Sequence, residues 1–176
     1  MTKKIEAPLT DSDVEALRAG ESVLVSGKLY MARDAAHKKF KDNPPFDIKG
    51  QILFYASPTP SKPGAIIGSV GPTTAGRMDA FTPALLDKGL KAMIGKGERS
   101  AEVVEAMKKN KAVYLVVPGG VAALLSKYIK QATVIAYPEL GPEAVQALEV
   151  VDFPTIVAID SEGNDIFEIG KKNYSR

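Results

Sequence analysis

The sequence of 176 residues holds no cysteine, no tryptophan and a single histidine, His37. Without cysteine the chain has no disulfide, no thiolate nucleophile and no Cys-ligated zinc, and by itself it holds no Cys-ligated iron–sulfur cluster. A Ser-His-Asp triad would have to recruit His37, and the sequence contains no G-x-S-x-G elbow. An excess of one charge is missing too. Lys and Arg number 23 against 21 Asp and Glu, a formal net charge of +2, which argues against a dedicated nucleic-acid surface. No apolar run approaches the length of a membrane span. The opening Met1-Thr2-Lys3-Lys4-Ile5-Glu6 has no apolar core of a secretory signal, so the expected location is the cytoplasm. What remains is an ordinary globular composition, 45% hydrophobic and 25% charged, sized for a single domain over residues 1–176. Difficult chemistry would need machinery from outside the chain.

Hydrophobic patterning predicts an α/β protein. A short capped helix is expected over residues 9–20, a strand over 22–30, and a helix over 32–41 stopped by Asn43-Pro44-Pro45. A second strand follows at 51–56, then a rigid loop over 57–64 between two strands of one sheet, then an apolar run at 65–70 that reads as a strand end. Further on come a short helix at 83–89, a strand at 92–94, and a helix capped by Ser100 running through 109. The continuous apolar run 112–117 reads as a strand covered on both faces, with Pro118-Gly119-Gly120 turning it into a helix over 121–127. A strand at 134–137, a helix at 142–149 with Pro142 at its start, a strand at 153–160, a returning strand at 165–169 and a frayed tail complete the chain. The N-terminal half is strand-rich, and the C-terminal half alternates helix and strand, the pattern of parallel βαβ units.

One stretch stands out, Gly71-Pro72-Thr73-Thr74-Ala75-Gly76-Arg77-Met78-Asp79. Gly71-Pro72 is a breaker pair expected to turn the chain sharply. Two hydroxyls follow where a helix can begin, and the first turn of a helix presents free N–H groups to an anion. If the helix starts near Thr73, Arg77 lies four residues on and shares its face. The stretch reads equally as an anion site or as a capped helix with a surface arginine.

Other cations stand at similar corners. Arg33 opens the helix after the first strand and shares a face with His37, while Asp34 and Lys38 form a second such pair. The plainer reading of that helix is a solvated, salt-bridged face. Against it, ligands in α/β sheets gather at carboxyl strand ends, where Arg33 lies. Lys96 stands between two glycines that would let a ligand approach closely. The turn at 117–120 is a weaker anion candidate and no nucleotide fingerprint. Arg33, Arg77 and Lys96 with Thr73 and Thr74 thus suit a small polyanion such as a dicarboxylate, because arginine forks grip carboxylates bidentately. From the residues alone the reading ends there: a small anion, bound as half of a site.

The nine-residue stretch resembles the signature of the iron–sulfur class I fumarases and related L-tartrate dehydratases, in their C-terminal domain or β subunit. Ser26-Gly27 followed by Ala32-Arg33-Asp34-Ala35-Ala36-His37, then Gly95-Lys96-Gly97, Tyr137-Pro138-Glu139-Leu140-Gly141 and Val151-Asp152-Phe153-Pro154 are similar to further landmarks of that family, in order. The resemblance implies a swivelling β/β/α domain and hydration of fumarate to L-malate. It implies a partner α subunit whose three cysteines hold a 4Fe–4S cluster with one iron open to substrate, hence a hetero-oligomer. It also implies that Arg33, Arg77 and Lys96 bind the substrate carboxylates and that Thr73 is the candidate base. Thr74 stands beside it as a substrate-binding hydroxyl or a cap. Two alternatives stay open: a dehydratase subunit for tartrate or another hydroxy-dicarboxylate, and a non-catalytic anion-binding or assembly domain.

Overall fold

The structure, a computed structural model, describes residues 2–118 and 120–175. Its organising feature is a sheet that closes on itself. The strands are β1 (Lys3–Glu6), β2 (Ser22–Met31), β3 (Ile52–Phe54), β4 (Ala56–Pro58), β5 (Val70–Pro72), β6 (Ala92–Gly95), β7 (Val113–Val116), β8 (Ile129–Ala136) and β9 (Val145–Ile159). Seven of them form one sheet in the order β1-β2-β3-β6-β7-β9-β8, and β2 also pairs with β9. That extra pairing joins β2, β3, β6, β7 and β9 into a ring, with β1 and β8 as flanking edges. β4 and β5 form a separate two-stranded sheet.

Period-two patterning explains the closure. Val23, Val25, Leu29 and Met31 of β2, Ile52 and Phe54 of β3, Ile94 of β6, Leu115 of β7 and Phe153 of β9 belong to one buried cluster. Every ring strand contributes to it, as the interior of a closed sheet requires. The alternate residues Leu53, Met93, Tyr114 and Ala158 belong to a second cluster. That cluster is shared with α2 (Asp34–Phe40), α3 (Thr82–Asp87) and α4 (Ala101–Asn110). Strands buried on both faces read as continuous apolar runs.

Local chemistry sets the ends of several helices. α1 (Asp11–Glu15) is held by a reciprocal capping box in which Thr10 Oγ1 accepts from the Asp13 N–H and Asp13 accepts from the Thr10 N–H. It stops well short of the expected residue 20. Ser100 caps α4 by accepting from the Val103 N–H, as expected. α5 (Ala122–Leu125) continues as a 3₁₀ turn, Ser126–Tyr128. The Pro118-Gly119-Gly120 turn leading into it includes Gly119, outside the described residues.

The structure departs from the sequence reading in several further places. The run at 65–70 is mostly irregular, and β5 begins only at Val70. Gly71-Pro72 therefore lies inside a strand, where an edge position accepts proline because no N–H is needed. The loop expected from residue 57 starts later, because Ser57-Pro58 pairs with Gly71 and Val70. The helix expected over 142–149 does not form. Residues Pro138–Glu143 make 3₁₀ turns, and β9 begins at Val145. Val145, Leu148 and Val150 are buried there against β2 and β8, so tertiary pairing overrides the proline start signal. The returning strand at 165–169 is instead α6 (Ile166–Tyr174), capped by Asp165, and it takes up most of the tail expected to fray. Last, the parallel pairing runs through β1, β2, β3, β6 and β7, whereas β9 is antiparallel to β2, β7 and β8.

Candidate active site

Because β2, β3 and β6 are parallel, their carboxyl ends share one rim. Arg33 follows β2, Ser57 lies in β4 just beyond the end of β3, and Lys96 follows β6. Such rims collect ligands because side chains from successive loops converge there. The segment after β5 is stitched onto the same rim by its backbone. The Thr73 N–H donates to the Tyr55 carbonyl (2.7 Å), the Lys96 N–H to the Thr73 carbonyl (3.2 Å), and the Ala75 N–H to the Lys96 carbonyl (2.9 Å). Gly95 permits this approach, since a Cβ there would lie 3.0 Å from both Ala75 Cβ and Tyr55 Cδ2.

The helix expected from Thr73 is a 3₁₀ turn over Ala75–Met78, and neither threonine caps it. The Thr74 side chain makes no capping bond, and the Ala75 N–H is taken by Lys96. The Ala75 N–H is therefore not free to meet an anion at this turn. The side-chain expectation fares differently. An Arg77 Nη2–H donates to Thr73 Oγ1, joining the two residues predicted to share a face. Thr73 is buried, and Arg77 is half exposed.

Asp34 links the two arginines. Arg33 Nε lies 3.2 Å from Asp34 Oδ2, and Arg77 Nε lies 3.2 Å from Asp34 Oδ1. Arg33 Nε also meets Glu143 at 3.1 Å, and Arg33 Nη1 donates to Ser57 Oγ at 3.3 Å. Burial pushes the Asp34 carboxyl pKa up. Its own backbone N–H, the Arg33 hydrogen bond and the charges of Arg77 and Arg33 together outweigh that and hold it below the usual value. Lys96 is exposed, and its backbone forms a parallel bridge with Thr74. Among the described residues it makes no ion pair.

The solvated-face reading of α2 does not hold. Asp34 pairs with Arg33 and Arg77 rather than with Lys38. His37 is fully buried beside Phe40, Tyr55 and Phe81, at centroid distances of 4.8, 5.6 and 5.8 Å. Its Nδ1 is 2.8 Å from the Arg33 carbonyl, which can only accept, so Nδ1 carries the proton. Nε2 has no partner. Burial first, and then the Arg99 charge, push the ring pKa down to about 4, against the opposing pull of the Arg33 carbonyl and Asp34.

The rim thus brings Arg33, Thr73, Thr74, Arg77 and Lys96 together. Sequence reasoning missed Asp34 as their link, and it missed Glu143, hidden inside an expected helix. It also missed a buried ion pair behind the rim, Arg99 Nε to Asp79 Oδ1 at 2.7 Å. Asp79 closes the conspicuous nine-residue stretch, which was a usable signal; nothing in the sequence distinguishes Arg99 from a surface arginine. Two family-like landmarks meet elsewhere for packing reasons. The Asp152 N–H donates to Ser26 Oγ at 3.0 Å where the β2–β9 register shifts.

The family described as Fumarase C-terminus matches residues 2–170. Fumarate hydratase 2 of Leishmania major is 44% identical over 156 residues, which cover 84% of this chain and 28% of that protein. A putative L(+)-tartrate dehydratase subunit beta of Methanocaldococcus jannaschii is 40% identical over 181 residues, 96% of this chain and 93% of that protein. The L(+)-tartrate dehydratase subunit beta of Escherichia coli K12 is 32% identical over 183 residues, 99% of this chain and 91% of that protein. The chain spans about a quarter of the length of the fumarate hydratases it matches.

Proposed function

The chain belongs to the fumarase C-terminus family, and from that premise we propose that it is the β subunit of a hydro-lyase interconverting fumarate and L-malate. The observation that carries the reading is the convergence of Arg33 and Arg77 on one carboxylate. Asp34 receives both Nε groups, so the rim already grips the functional group that a dicarboxylate would present. Lys96 supplies a further exposed cation on the same rim.

The same geometry gives Thr73 a role. A threonine hydroxyl is a weak base, and a donor onto its oxygen favours the ionised form. The Arg77 guanidinium is such a donor. Thr73 Oγ1 is thereby suited to accept a proton from the substrate carbon next to a carboxylate. Charge that builds on that carboxylate is met by the cations of the rim, which need no reorganisation to receive it.

An iron–sulfur cluster does not fit this chain as host. The sequence has no cysteine, and among the described residues no group of His, Asp and Glu is arranged to hold a metal. Any cluster belongs to a partner α subunit, and the assembly is a hetero-oligomer working in the cytoplasm. No helix of the described residues is long and apolar enough to cross a membrane.

A second reading, the β subunit of an L-tartrate dehydratase, is favoured by one observation. The chain covers 93% and 91% of two proteins named as such subunits. Anaerobic reconstitution with the α subunit and iron, followed by fumarate, L-malate and tartrate as substrates, decides between them. Turnover of fumarate above tartrate supports the first reading, and the reverse order supports the second. A chain that hydrates fumarate alone and without iron overturns the partner requirement.

A further inference from the structure

Behind the rim lies a polar cluster that touches no proposed substrate. Arg99 has no exposed side-chain surface. Its Nε donates to Asp79 Oδ1 at 2.7 Å, and its Nη2 donates to Thr82 Oγ1 at 2.9 Å and to the Tyr55 hydroxyl at 3.4 Å. The guanidinium stacks near the Tyr55 and Tyr114 rings, 5.2 and 5.0 Å from their centroids. The other Asp79 oxygen accepts from the Ser100 N–H at 2.8 Å. The Tyr114 hydroxyl donates to the Gly97 carbonyl at 2.9 Å.

These bonds join two particular segments. Asp79 is the residue that ends the 3₁₀ turn carrying Arg77. Arg99 and Ser100 stand just beyond the loop carrying Lys96, whose Gly97 has φ +79°. The two segments are already bridged at their near ends by Thr74 and Lys96. The ion pair fastens their far ends. The two segments are thus joined at both ends, at the far end by a pair largely shielded from solvent screening.

We infer that Asp79 and Arg99 are positioning residues that hold the Arg77 turn and the Lys96 loop in register for a dicarboxylate. The inference rests on the dicarboxylate reading of the rim. Its physical ground is the sensitivity of multi-point binding to small displacements of the gripping groups. Lysine at residue 99 would keep a charge near Asp79 but reach it through a single ammonium, losing the fork that also holds Thr82 and Tyr55.

A double-mutant cycle in the reconstituted enzyme tests this. KM and kcat for fumarate are measured for wild type, Arg99→Lys, Lys96→Met and the double variant, per folded molecule, with melting curves for each. If Arg99→Lys acts through the position of Lys96, it raises KM about tenfold in the wild-type background and less than about twofold when Lys96 is already Met. A purely structural role lowers the melting temperature and leaves the same KM factor in both backgrounds, which overturns the inference. Should Arg99→Lys not fold, the nearly isosteric Asp79→Asn goes through the same cycle with the same two outcomes. An active wild-type enzyme that is weakened by Lys96→Met but gives equal factors leaves the hydro-lyase reading standing and removes the positioning role. An inactive wild-type assembly overturns both.

Discussion

Arg99 and Arg77 are on neighbouring segments and are treated in opposite ways. Arg99 is sealed from solvent, paired one-to-one with Asp79, and given oxygen or sulfur acceptors for each of its three nitrogens. Burial alone would lower its pKa; the Tyr55 and Asp79 interactions outweigh that and keep it charged. Arg77 is half exposed and shares a single carboxylate with Arg33. A buried ion must be neutralised and fully hydrogen-bonded, or it costs several kcal/mol. A ligand-binding ion must keep donors in reach of solvent. The contrast separates cations that build the rim from cations that can use it, although both kinds lie close to the same nine-residue stretch.

The sharpest way to break that contrast is Thr73→Ala. Thr73 belongs to the open set and touches Arg77. As the base, its loss should lower kcat by about 10²–10⁴-fold in the reconstituted enzyme. The stability cost should be that of one hydrogen bond, about 1 kcal/mol, or a melting shift of roughly 2–4 °C. A variant that turns over normally sinks the assignment.

The buried set should respond in the other currency. Arg99→Met leaves Asp79 without its partner in a largely buried position, which should cost about 3–5 kcal/mol of stability and roughly 10 °C or more in melting temperature. If the variant melts like the wild type, Arg99 is a surface-like arginine and the contrast fails.

The sequence carried some of this and hid the rest, for identifiable reasons. Local signals worked where the physics is local: the Ser100 cap, the Asn43-Pro44-Pro45 stop, the apolar run of β7 and the four-residue spacing of Thr73 and Arg77. They failed where distant pairing decides. Pro142 signals a helix start, but the residues after it complete the ring against β2, some hundred residues away. Asp34 has Lys38 four residues on, yet it turns to Arg77 because the β5 segment brings a second guanidinium to it. Ring closure and the β2–β9 register are non-local, and no window of sequence contains them.

His37 sharpens the comparison from a third position, directly beneath Arg33. It is buried like Arg99 but left with a bare Nε2, so it must stay neutral. Its folded pKa is about 4, against about 6.5 for an unfolded chain. Between those values the unfolded state binds more protons, so stability falls as pH falls. From pH 7 to pH 5 the loss should be about 2 kcal/mol from this residue. The lowered Asp34 carboxyl adds its own loss only at still lower pH. Urea unfolding at pH 7 and pH 5 checks the sign and size, and His37→Phe should flatten that interval. Equal slopes in the two proteins would remove His37 as the cause.

The smallest effect expected is that of Arg77→Lys, and it probes the open set most directly. Arg77 uses two separate nitrogens, Nε toward Asp34 and Nη2 toward Thr73. Lysine keeps the charge and offers one ammonium, which cannot span both partners and a substrate carboxylate in the planar arrangement of the fork. If Arg77 were sealed like Arg99, the loss would run to several kcal/mol, because a buried acceptor would be stranded. Arg77 is half exposed, so water can replace what the fork gave up and the cost stays near the low end. The expected outcome is about a tenfold fall in kcat/KM, or about 1.4 kcal/mol of transition-state binding, with melting unchanged within a few degrees. Part of the fall should appear in kcat, because the donor onto Thr73 is displaced along with the grip on the carboxylate. Wild-type kinetics in Arg77→Lys would mean that the exposed guanidinium touches no substrate. A large loss of melting temperature would mean instead that Arg77 belongs with Arg99 among the groups that build the rim.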